Sequence, residues 1–438
     1  MPLNYKNIQI TPIYNLSSSH VYIVMIQGIV IGIDSHNVSS VLSIQDSLNE
    51  LKDLARTSNI KIIKSFSQKQ KHPVPGTYIG KGKIDEIILF IQENPIQCVL
   101  IDDDLTPAQS KSLETAFNTK VIDRTGLILD IFAQRAQTYE AKLQIELAQL
   151  HYLLPRLTRL WTHLSRLGGG IGTRGPGETQ LEVDKRQLST RVNHIKKKLE
   201  KIQKDRHLRR SKRHQTPLIK GAIVGYTNAG KSTLMNRLTK AAVLAEDKLF
   251  ATLDPTSRKL KLKQSDQVIL TDTVGFIQKL PTLLVKAFYS TLEEVTDADF
   301  LLHVIDVSHP CFEEFILTSN QIINDLKASD KPILYIFNKW DQVSAPNRIK
   351  KQIASFQPNI CISAKCDTHL EGFEDAIADL LAPFKKTLTF FIPYKRMDII
   401  NLFHQFGHVE SIDYNEDVTI KVTINEILAE KIVASLYK

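Results

Sequence analysis

The sequence predicts an α/β protein, because strand-like and helix-like runs alternate along two long parts of it. A third part, residues 134–213, instead carries apolar residues at helical spacing around a glycine-rich stretch. At 438 residues, with 42% hydrophobic and 24% charged content, the chain can form several domains with apolar cores. We expect a small α/β domain at 1–133, a long antiparallel helical hairpin at 134–213, a second α/β domain at 216–384 and a small C-terminal α/β module at 387–438.

The first 133 residues alternate between the two kinds of run. "IVIGI", "IKIIKSF" and "IQCVLIDDD" are strand-like, whereas "SLNELKDLARTS" and "TPAQSKSLETAF" are helix-like. Thr106 is placed to cap the last of these helices, with Pro107 in its first turn. The alternation predicts a largely parallel sheet. The three aspartates at 102–104 suggest either a metal site or a solvated acidic turn, and we favour the turn.

The middle part predicts two helices that pack along apolar seams. The seam positions are spaced alternately by four and three residues, and they are Leu143, Leu147, Leu150, Leu154, Leu157, Trp161 and Leu164, then Leu188, Val192, Ile195, Leu199 and Ile202. Residues 134–213 hold 19 Lys and Arg against 7 Asp and Glu, a net of +12 that exceeds the +9 of the whole chain. The outer face of the second helix is either a solvated basic surface or a site for nucleic acid, and we favour nucleic acid.

Between the two helices, "GGGIGTRGPG" holds six of the 18 glycines in the chain. Ordering so flexible a loop costs conformational entropy, and a simple helix-to-helix connector needs about two to five residues. We therefore favour a tip that enters an RNA cavity, with Arg174 meeting phosphate or a base, over a slack connector.

The sequence lacks the features that mark membrane-spanning, secreted or disulfide-bonded proteins. The longest apolar stretch, "VYIVMIQGIVIGI", is too short to span a bilayer, and the first 20 residues do not resemble a signal peptide. The four cysteines are scattered and form no CxxC pair. We expect a cytoplasmic, monomeric protein without integral membrane contact.

The first chemical motif is "GYTNAGKS", which follows the strand-like "LIKGAIV" and opens a helix. Backbone amides of such a turn surround a β-phosphate, and the helix N-terminus adds positive potential. Lys231 is expected to neutralise β- and γ-phosphate oxygens, and Ser232 to bind Mg²⁺. This motif predicts a P-loop.

Three further motifs follow in order. "VILTDTVG" places Asp272 at a strand end, where it can hold Mg²⁺ through water, and Gly275 where its amide can meet a γ-phosphate. "NKWD" supplies Asp341, whose carboxylate can accept two hydrogen bonds from guanine but not from adenine. "SAK" at 363–365 can reach the guanine O6 through its backbone. The four motifs together predict a GTPase domain.

Two features of this domain leave alternatives open. In "LFATLDPTSR", either Thr252 or Thr256 could close over the γ-phosphate and complete the Mg²⁺ shell. Phe276 occupies the position at which many GTPases carry a water-orienting glutamine, so another group or a partner must place the water. Asn228 either holds a K⁺ beside the phosphates or only shapes the loop.

The sequence resembles the HflX family of ribosome-associated GTPases. The resemblance rests on "VIDRTGLILDIFAQRA", "LQIELAQLHYLLPRL", "GGGIGTRGPGETQLEVDKR", "GYTNAGKSTL", "FATLDPT" and "DTVGFI". It implies a cytoplasmic GTPase that binds the large ribosomal subunit and, in some members, splits stalled or stressed ribosomes. It also favours Thr252 over Thr256, and it implies that the glycine-rich tip lies near the peptidyl-transferase region.

The fold class is therefore α/β, with a P-loop GTPase domain between the helical hairpin and the C-terminal module. Lys231, Thr252 and Gly275 are the candidate catalytic residues, and Mg²⁺ is the expected cofactor, with K⁺ as a second candidate. The candidate nucleotide-binding residues are Gly225, Tyr226, Thr227, Asn228, Ala229, Gly230, Lys231, Ser232, Phe250, Ala251, Thr252, Leu253, Asp254, Asp272, Thr273, Val274, Gly275, Asn338, Lys339, Asp341, Ser363, Ala364 and Lys365, and the candidate RNA-binding residues are Arg174, Lys196, Lys197 and Lys198.

The sequence supports a GTPase that binds the large ribosomal subunit and couples GTP binding and hydrolysis to ribosome splitting or remodelling. One alternative is a GTP-dependent RNA-modification or remodelling factor acting on tRNA, for which we find no second catalytic constellation. The other is a signalling adaptor whose hairpin binds a protein partner.

Overall fold

The computed structural model describes residues 25–35, 43–160, 176–213, 218–239, 249–250, 253, 255–261, 267–279, 289–366, 372–414 and 417–436. The chain divides into two compact units. The first comprises Met1–Gln134 and Gln149–Lys185, and the second comprises Arg135–Ala148 and Arg186–Lys438.

The first unit contains a four-stranded sheet in the order β2-β1-β3-β4, and every neighbouring pair is parallel. Its elements are β1 (Ile26–Asp34), α1 (Ile44–Thr57), β2 (Ile60–Lys69), α2 (Lys81–Glu93), β3 (Cys98–Ile101), α3 (Pro107–Phe117), β4 (Lys120–Asp123) and α4 (Arg124–Arg135). The expected parallel α/β sheet is confirmed. Thr106 caps α3 as expected, since its hydroxyl accepts the N–H of Gln109 at 3.3 Å while the Gln109 side chain accepts the Thr106 N–H.

The interpretation of residues 102–104 as a solvated acidic turn is wrong for Asp102. This carboxylate is fully buried, and it lies 2.8 Å from Arg124 Nη1 and 2.6 Å from the Ser47 hydroxyl. Arg124 is 1% exposed and also pairs with Glu50 at 2.6 Å. Asp103 instead accepts a hydrogen bond from the hydroxyl of Tyr78. Asp102 therefore belongs to a buried ionic network at the carboxyl end of β3, whereas Asp104 is exposed. Among the described residues, no group of three or more His, Cys, Asp or Glu could hold a metal.

Two long helices, α5 (Tyr139–Leu160) and α6 (Pro176–Arg213), follow α4. On α6, Val192 and Ile195 are buried, as the predicted seam requires. Arg191 of α6 pairs with Glu146 of α5 at 2.7 Å, and Lys198 lies 5.9 Å from the ring centroid of Tyr139. Because the later residue of α6 meets the earlier residue of α5, the two helices run antiparallel where they pair.

The second unit contains a six-stranded sheet in the order β10-β9-β8-β5-β7-β6, which is parallel except for the β6–β7 pair. Its elements are β5 (Ile219–Val224), α7 (Lys231–Thr239), β6 (Thr256–Lys261), β7 (Gln267–Asp272), α8 (Tyr289–Asp297), β8 (Phe300–Asp306), α9 (Phe312–Asp325), β9 (Ile333–Asn338), α10 (Pro346–Ile353), β10 (Asn359–Cys361) and α11 (Phe373–Leu381). Strand β5 lies in the middle of this sheet, so the loop at its carboxyl end is flanked by the ends of β7 and β8. That position suits a ligand site in an open parallel sheet.

The C-terminal elements form a three-stranded antiparallel sheet in the order β11-β13-β12. They are β11 (Lys385–Ile392), α12 (Asp398–Phe406), β12 (His408–Tyr414), β13 (Val418–Asn425) and α13 (Glu426–Leu436), and this is the predicted order of strand, helix, strand, strand, helix. Strand β11 begins two residues before the start that the sequence suggested. The apolar residues of this sheet share one hydrophobic cluster with those of the six-stranded sheet, and Leu381 and Ile392 belong to it.

Among the described residues, no helix combines the length and the apolar character that crossing a membrane requires.

We expect Arg124→Met to lower the free energy of unfolding by about 3–5 kcal/mol, because it leaves the buried Asp102 carboxylate without its cation. Urea-induced unfolding followed by circular dichroism measures the change. Lys83→Met is the matched control, since the half-buried Lys83 pairs at 2.7 Å with Glu86, which is exposed. The control should shift stability by no more than about 0.5 kcal/mol. Equal effects of the two substitutions would show that the buried network is not specially stabilising.

Candidate nucleotide site

The phosphate-binding loop follows β5, and α7 begins at Lys231, as the motif requires. Gly225 has a φ of +143°, and a Cβ there would lie 2.1 Å from the carbonyl oxygen of Val304. Gly230 has a φ of +94°, and its Cβ would lie 2.2 Å from Asn338 Nδ2. Neither position can therefore hold a side chain, because the loop packs closely against β8 and against the Asn338 side chain.

Lys231 is buried beneath this loop. Its Nζ donates hydrogen bonds to the carbonyl oxygens of Gly225 and Tyr226, at 3.1 and 2.8 Å. Burial lowers the pKa of Lys231 to about 8, although the nearby Asp272 carboxylate opposes the shift. Phosphate oxygens would add negative charge beside the ammonium group and so favour its protonated form. Lys231 thus lies where it can neutralise a bound phosphate.

Ser232 and Asp272 form a pair that fits Mg²⁺. The Ser232 hydroxyl donates to Asp272 Oδ2 at 2.6 Å, and Asp272 is fully buried at the end of β7. P-loop proteins hold Mg²⁺ with such a pair, in which the hydroxyl binds the metal directly and the carboxylate binds it through water. The described residues do not include Ala251, Thr252 or Asp254. The contacts of Thr252, the candidate catalytic threonine, are therefore not described. Thr256 begins β6, where it pairs with Asp272.

The segment after β7 lies directly against the phosphate-binding loop. Phe276 donates its N–H to the Gly225 carbonyl at 3.0 Å, and its own carbonyl accepts the N–H of Thr227 at 2.8 Å. A Cβ on Gly275 would lie 2.9 Å from Lys231 Nζ and 2.9 Å from the Cα of Thr227. The Gly275 backbone therefore borders the position of a phosphate bound by Lys231.

The Phe276 side chain is 2% exposed and belongs to the protein interior. A buried phenyl ring has no group that can hydrogen-bond an attacking water. Thr273, which precedes it, is also buried, and its hydroxyl donates to the Ile223 carbonyl at 2.7 Å. Residues 273–276 are thus anchored to β5 and to the phosphate-binding loop.

At the predicted guanine end, Asn338 joins three loops. Its Nδ2 donates to the Ala229 carbonyl at 2.8 Å, and its Oδ1 accepts the Ala364 N–H at 3.0 Å. Ser363 and Ala364 are buried beside it, whereas Lys365 is exposed. The structure thereby brings together the loops that carry the first, third and fourth motifs.

Asp341 lies on an exposed turn next to Asn338. Lys339, between them, has a φ of +61°, and its Nζ lies 2.6 Å from the Asp306 carboxylate. This pairing links the turn that carries Asp341 to the end of β8. Sequence reasoning missed Asp306, although its place at the end of a buried strand, "LLHVID", was a usable signal.

His303 is a second residue that sequence reasoning missed. It lies on β8 and is 1% exposed, and burial together with the charge of Lys231 lowers its pKa to about 3. The imidazole is therefore neutral near pH 7 and adds no positive charge beneath the phosphate-binding loop. No motif marks this position in the sequence.

The candidate RNA-binding residues are only partly described. Lys196 and Lys197 are exposed on α6, and Lys198 is half-buried near Tyr139. Arg174 and the glycine-rich stretch up to residue 175 lie outside the described residues.

Three family models match the chain in succession. They are the GTP-binding GTPase N-terminal region over residues 45–133, the GTP-binding GTPase middle region over 135–213, and the 50S ribosome-binding GTPase domain over 220–339.

Curated relatives match most of the chain. It is 47% identical over 393 residues to the GTPase HflX of Caldanaerobacter subterraneus subsp. tengcongensis, which covers 89% of this chain and 90% of the relative. The GTPase HflX of Escherichia coli is 40% identical over 380 residues, covering 86% of this chain and 89% of the relative. A GTP-binding protein of Sulfolobus solfataricus, solved in complex with GDP, is 26% identical with a TM-score of 0.43, covering 81% of this chain and 98% of that one.

We expect Asp341→Asn to weaken GTP binding and to gain binding of xanthosine triphosphate, because the amide exchanges an acceptor for a donor. The expected loss for GTP is about 100-fold or more, as for a polar contact left unmatched. Titration with the two fluorescently labelled nucleotides measures both affinities.

Asp330→Asn is the control, since Asp330 is another exposed carboxylate of the same unit. It should leave both affinities unchanged. Parental GTP affinity in Asp341→Asn would show that this carboxylate does not recognise the base.

Proposed function

Because this chain belongs to the HflX family of GTPases and hydrolyses GTP, we propose that it binds the large ribosomal subunit. In this proposal, GTP binding and hydrolysis are coupled to splitting or remodelling of the ribosome under stress. The observation that carries the proposal is the antiparallel pairing of α5 with a basic α6, in one chain with a nucleotide site. The match to a family described as a 50S ribosome-binding GTPase supports the same partner.

As a GTPase, the chain requires Mg²⁺ in the usual way. Ser232 is the proposed direct ligand, with Asp272 acting through water and Thr252 completing the shell. Held by these residues, Mg²⁺ would supply positive charge for the negative charge that develops as the γ-phosphoryl group leaves. Contacts from Ser232, Thr252 and Gly275 to the nucleotide would order their loops, and hydrolysis would release them.

Charge on α6 is the proposed means of docking on ribosomal RNA. The α6 sequence from Lys196 to Lys204 carries five lysines and one glutamate. Lys196, Lys197 and Lys201 are exposed, so their ammonium groups can meet phosphates. The glycine-rich tip and Arg174 would extend this contact into an RNA cavity.

We expect the double variant Lys196→Ala, Lys197→Ala to weaken binding to isolated 50S subunits. Each lost phosphate contact should reduce the magnitude of the salt slope by about 1. Co-sedimentation with a non-hydrolysable GTP analogue across a range of KCl concentrations measures affinity and slope together.

The matched control is Lys350→Ala, Lys351→Ala, which removes an equally exposed lysine pair from α10. It should leave the slope unchanged. A shallow parental slope, or binding that persists after nuclease treatment of the subunits, would instead favour the adaptor with a protein partner.

We also propose that Asn228 helps to hold K⁺ beside the phosphates. Asn228 has a φ of +60° and is exposed at the loop that surrounds them. A cation there would stabilise developing charge as an arginine finger does.

Hydrolysis by the isolated protein should accordingly be slow, and about tenfold or more faster in KCl than in NaCl at equal ionic strength. Asn228→Ala should abolish the difference between the two salts while GTP binding persists. Steady-state phosphate release measures the rates, and equal parental rates in both salts would remove K⁺ from the proposal.

A further inference from the structure

Tyr226 makes contacts that the nucleotide motif does not account for. The motif requires only its backbone, whose carbonyl accepts a hydrogen bond from Lys231 Nζ at 2.8 Å. Its side chain is nevertheless buried, at 6% exposure. The Tyr226 hydroxyl accepts the backbone N–H of Gln278 at 2.8 Å.

The Tyr226 ring is held from one side by α9. It stacks on the ring of Phe315 with centroids 4.1 Å apart and an interplanar angle of 10°. Phe315 in turn contacts the His309 ring at 4.7 Å. A ring stacked in this way has few orientations open to it, so its hydroxyl is fixed in space before any nucleotide binds.

Gln278 lies three residues after Gly275, in the segment that borders the phosphate position. Two backbone hydrogen bonds already tie Phe276 to the phosphate-binding loop, and the Tyr226 hydroxyl adds a third two residues further along. Beyond Phe276, Ile277 is 1% exposed and packs inside. Contacts therefore hold the Gly275–Gln278 segment in place at Phe276 and again at Gln278.

We infer that Tyr226 is a positioning residue for GTP hydrolysis, which acts by holding the Gly275–Gln278 backbone against the phosphate-binding loop. Phe276 offers no side-chain group to an attacking water, but the backbone of the preceding Gly275 borders the phosphate position, so the placement of this backbone affects the geometry at the γ-phosphate. A hydroxyl that fixes this backbone would favour the reactive arrangement without touching the nucleotide itself. Phe315 supports this role by orienting the Tyr226 ring.

The test is Tyr226→Phe, which keeps the ring and its stacking but removes the hydroxyl. We expect kcat of the isolated protein with Mg²⁺ and GTP to fall about tenfold, as one lost hydrogen bond predicts. The affinity for GTP should stay within about twofold, because the backbone of the phosphate-binding loop is unchanged. Amide hydrogen exchange at Gln278 should become faster, since its N–H has lost the acceptor.

Tyr335→Phe is the matched control. Tyr335 is a half-buried tyrosine of β9 whose ring contacts His303 and Phe356, and its hydroxyl makes no hydrogen bond within the described part of the chain. It should change neither kcat nor exchange at Gln278. Phe315→Leu, which removes the stacking partner but keeps apolar bulk, should lower kcat in the same direction as Tyr226→Phe.

Two outcomes would overturn the inference. In the first, kcat of Tyr226→Phe stays within twofold of the parent while Gln278 exchange is unchanged. In the second, kcat, GTP affinity and the thermal midpoint all fall together, which would indicate a general structural role. Neither outcome depends on ribosome binding, so the inference can fail while the proposed function stands.

Discussion

The nucleotide site depends on the side-chain amide of Asn338. Its two ends bind the Ala229 carbonyl and the Ala364 N–H, which belong to loops after different strands. Its Nδ2 also approaches Gly230 so closely that a Cβ there would lie 2.2 Å away. Because parallel strands end at one edge of the sheet, a single amide can tie these loops together. The glycine at position 230 and the asparagine at position 338 are therefore one packing requirement, although they lie in separate motifs.

The first unit depends instead on buried charged side chains that form ion pairs with one another. Arg124 lies between Asp102 and Glu50, at 2.8 and 2.6 Å. Nearby, Asp123 accepts hydrogen bonds from the Tyr152 hydroxyl at 2.7 Å and from Arg156 Nη2 at 2.7 Å. Burial raises the pKa of Asp123, against the opposing effects of Arg156, of the Tyr152 hydroxyl and of backbone N–H groups. These contacts join the carboxyl ends of β3 and β4 to α4 and α5.

The elements of this chain could largely be predicted from sequence, because their signals are local. The capping box at Thr106 and the apolar seam at Val192 and Ile195 are examples, and both are present. The burial of Asp102 could not be predicted, because its partner Arg124 is 22 residues away and on another element. Likewise, the motif marks Lys339 but not Asp306, since only the fold brings the two side chains to 2.6 Å. Long-range pairing of polar groups is set by the tertiary structure and leaves no periodic trace in the sequence.

The burial of Phe276 decides how this site can work. Replacing a glutamine by a phenylalanine that faced solvent would leave room for another side chain to enter beside the phosphate. Here the phenyl ring instead anchors the segment in the interior, and the backbone on either side of it is bonded to the phosphate-binding loop. The main-chain groups of this segment are thereby held in a position that no change of side-chain rotamer can alter. The contacts of Tyr226 with Gln278 and Phe315 lie where a shift of this segment would be resisted, so any movement of the segment during hydrolysis would have to break them.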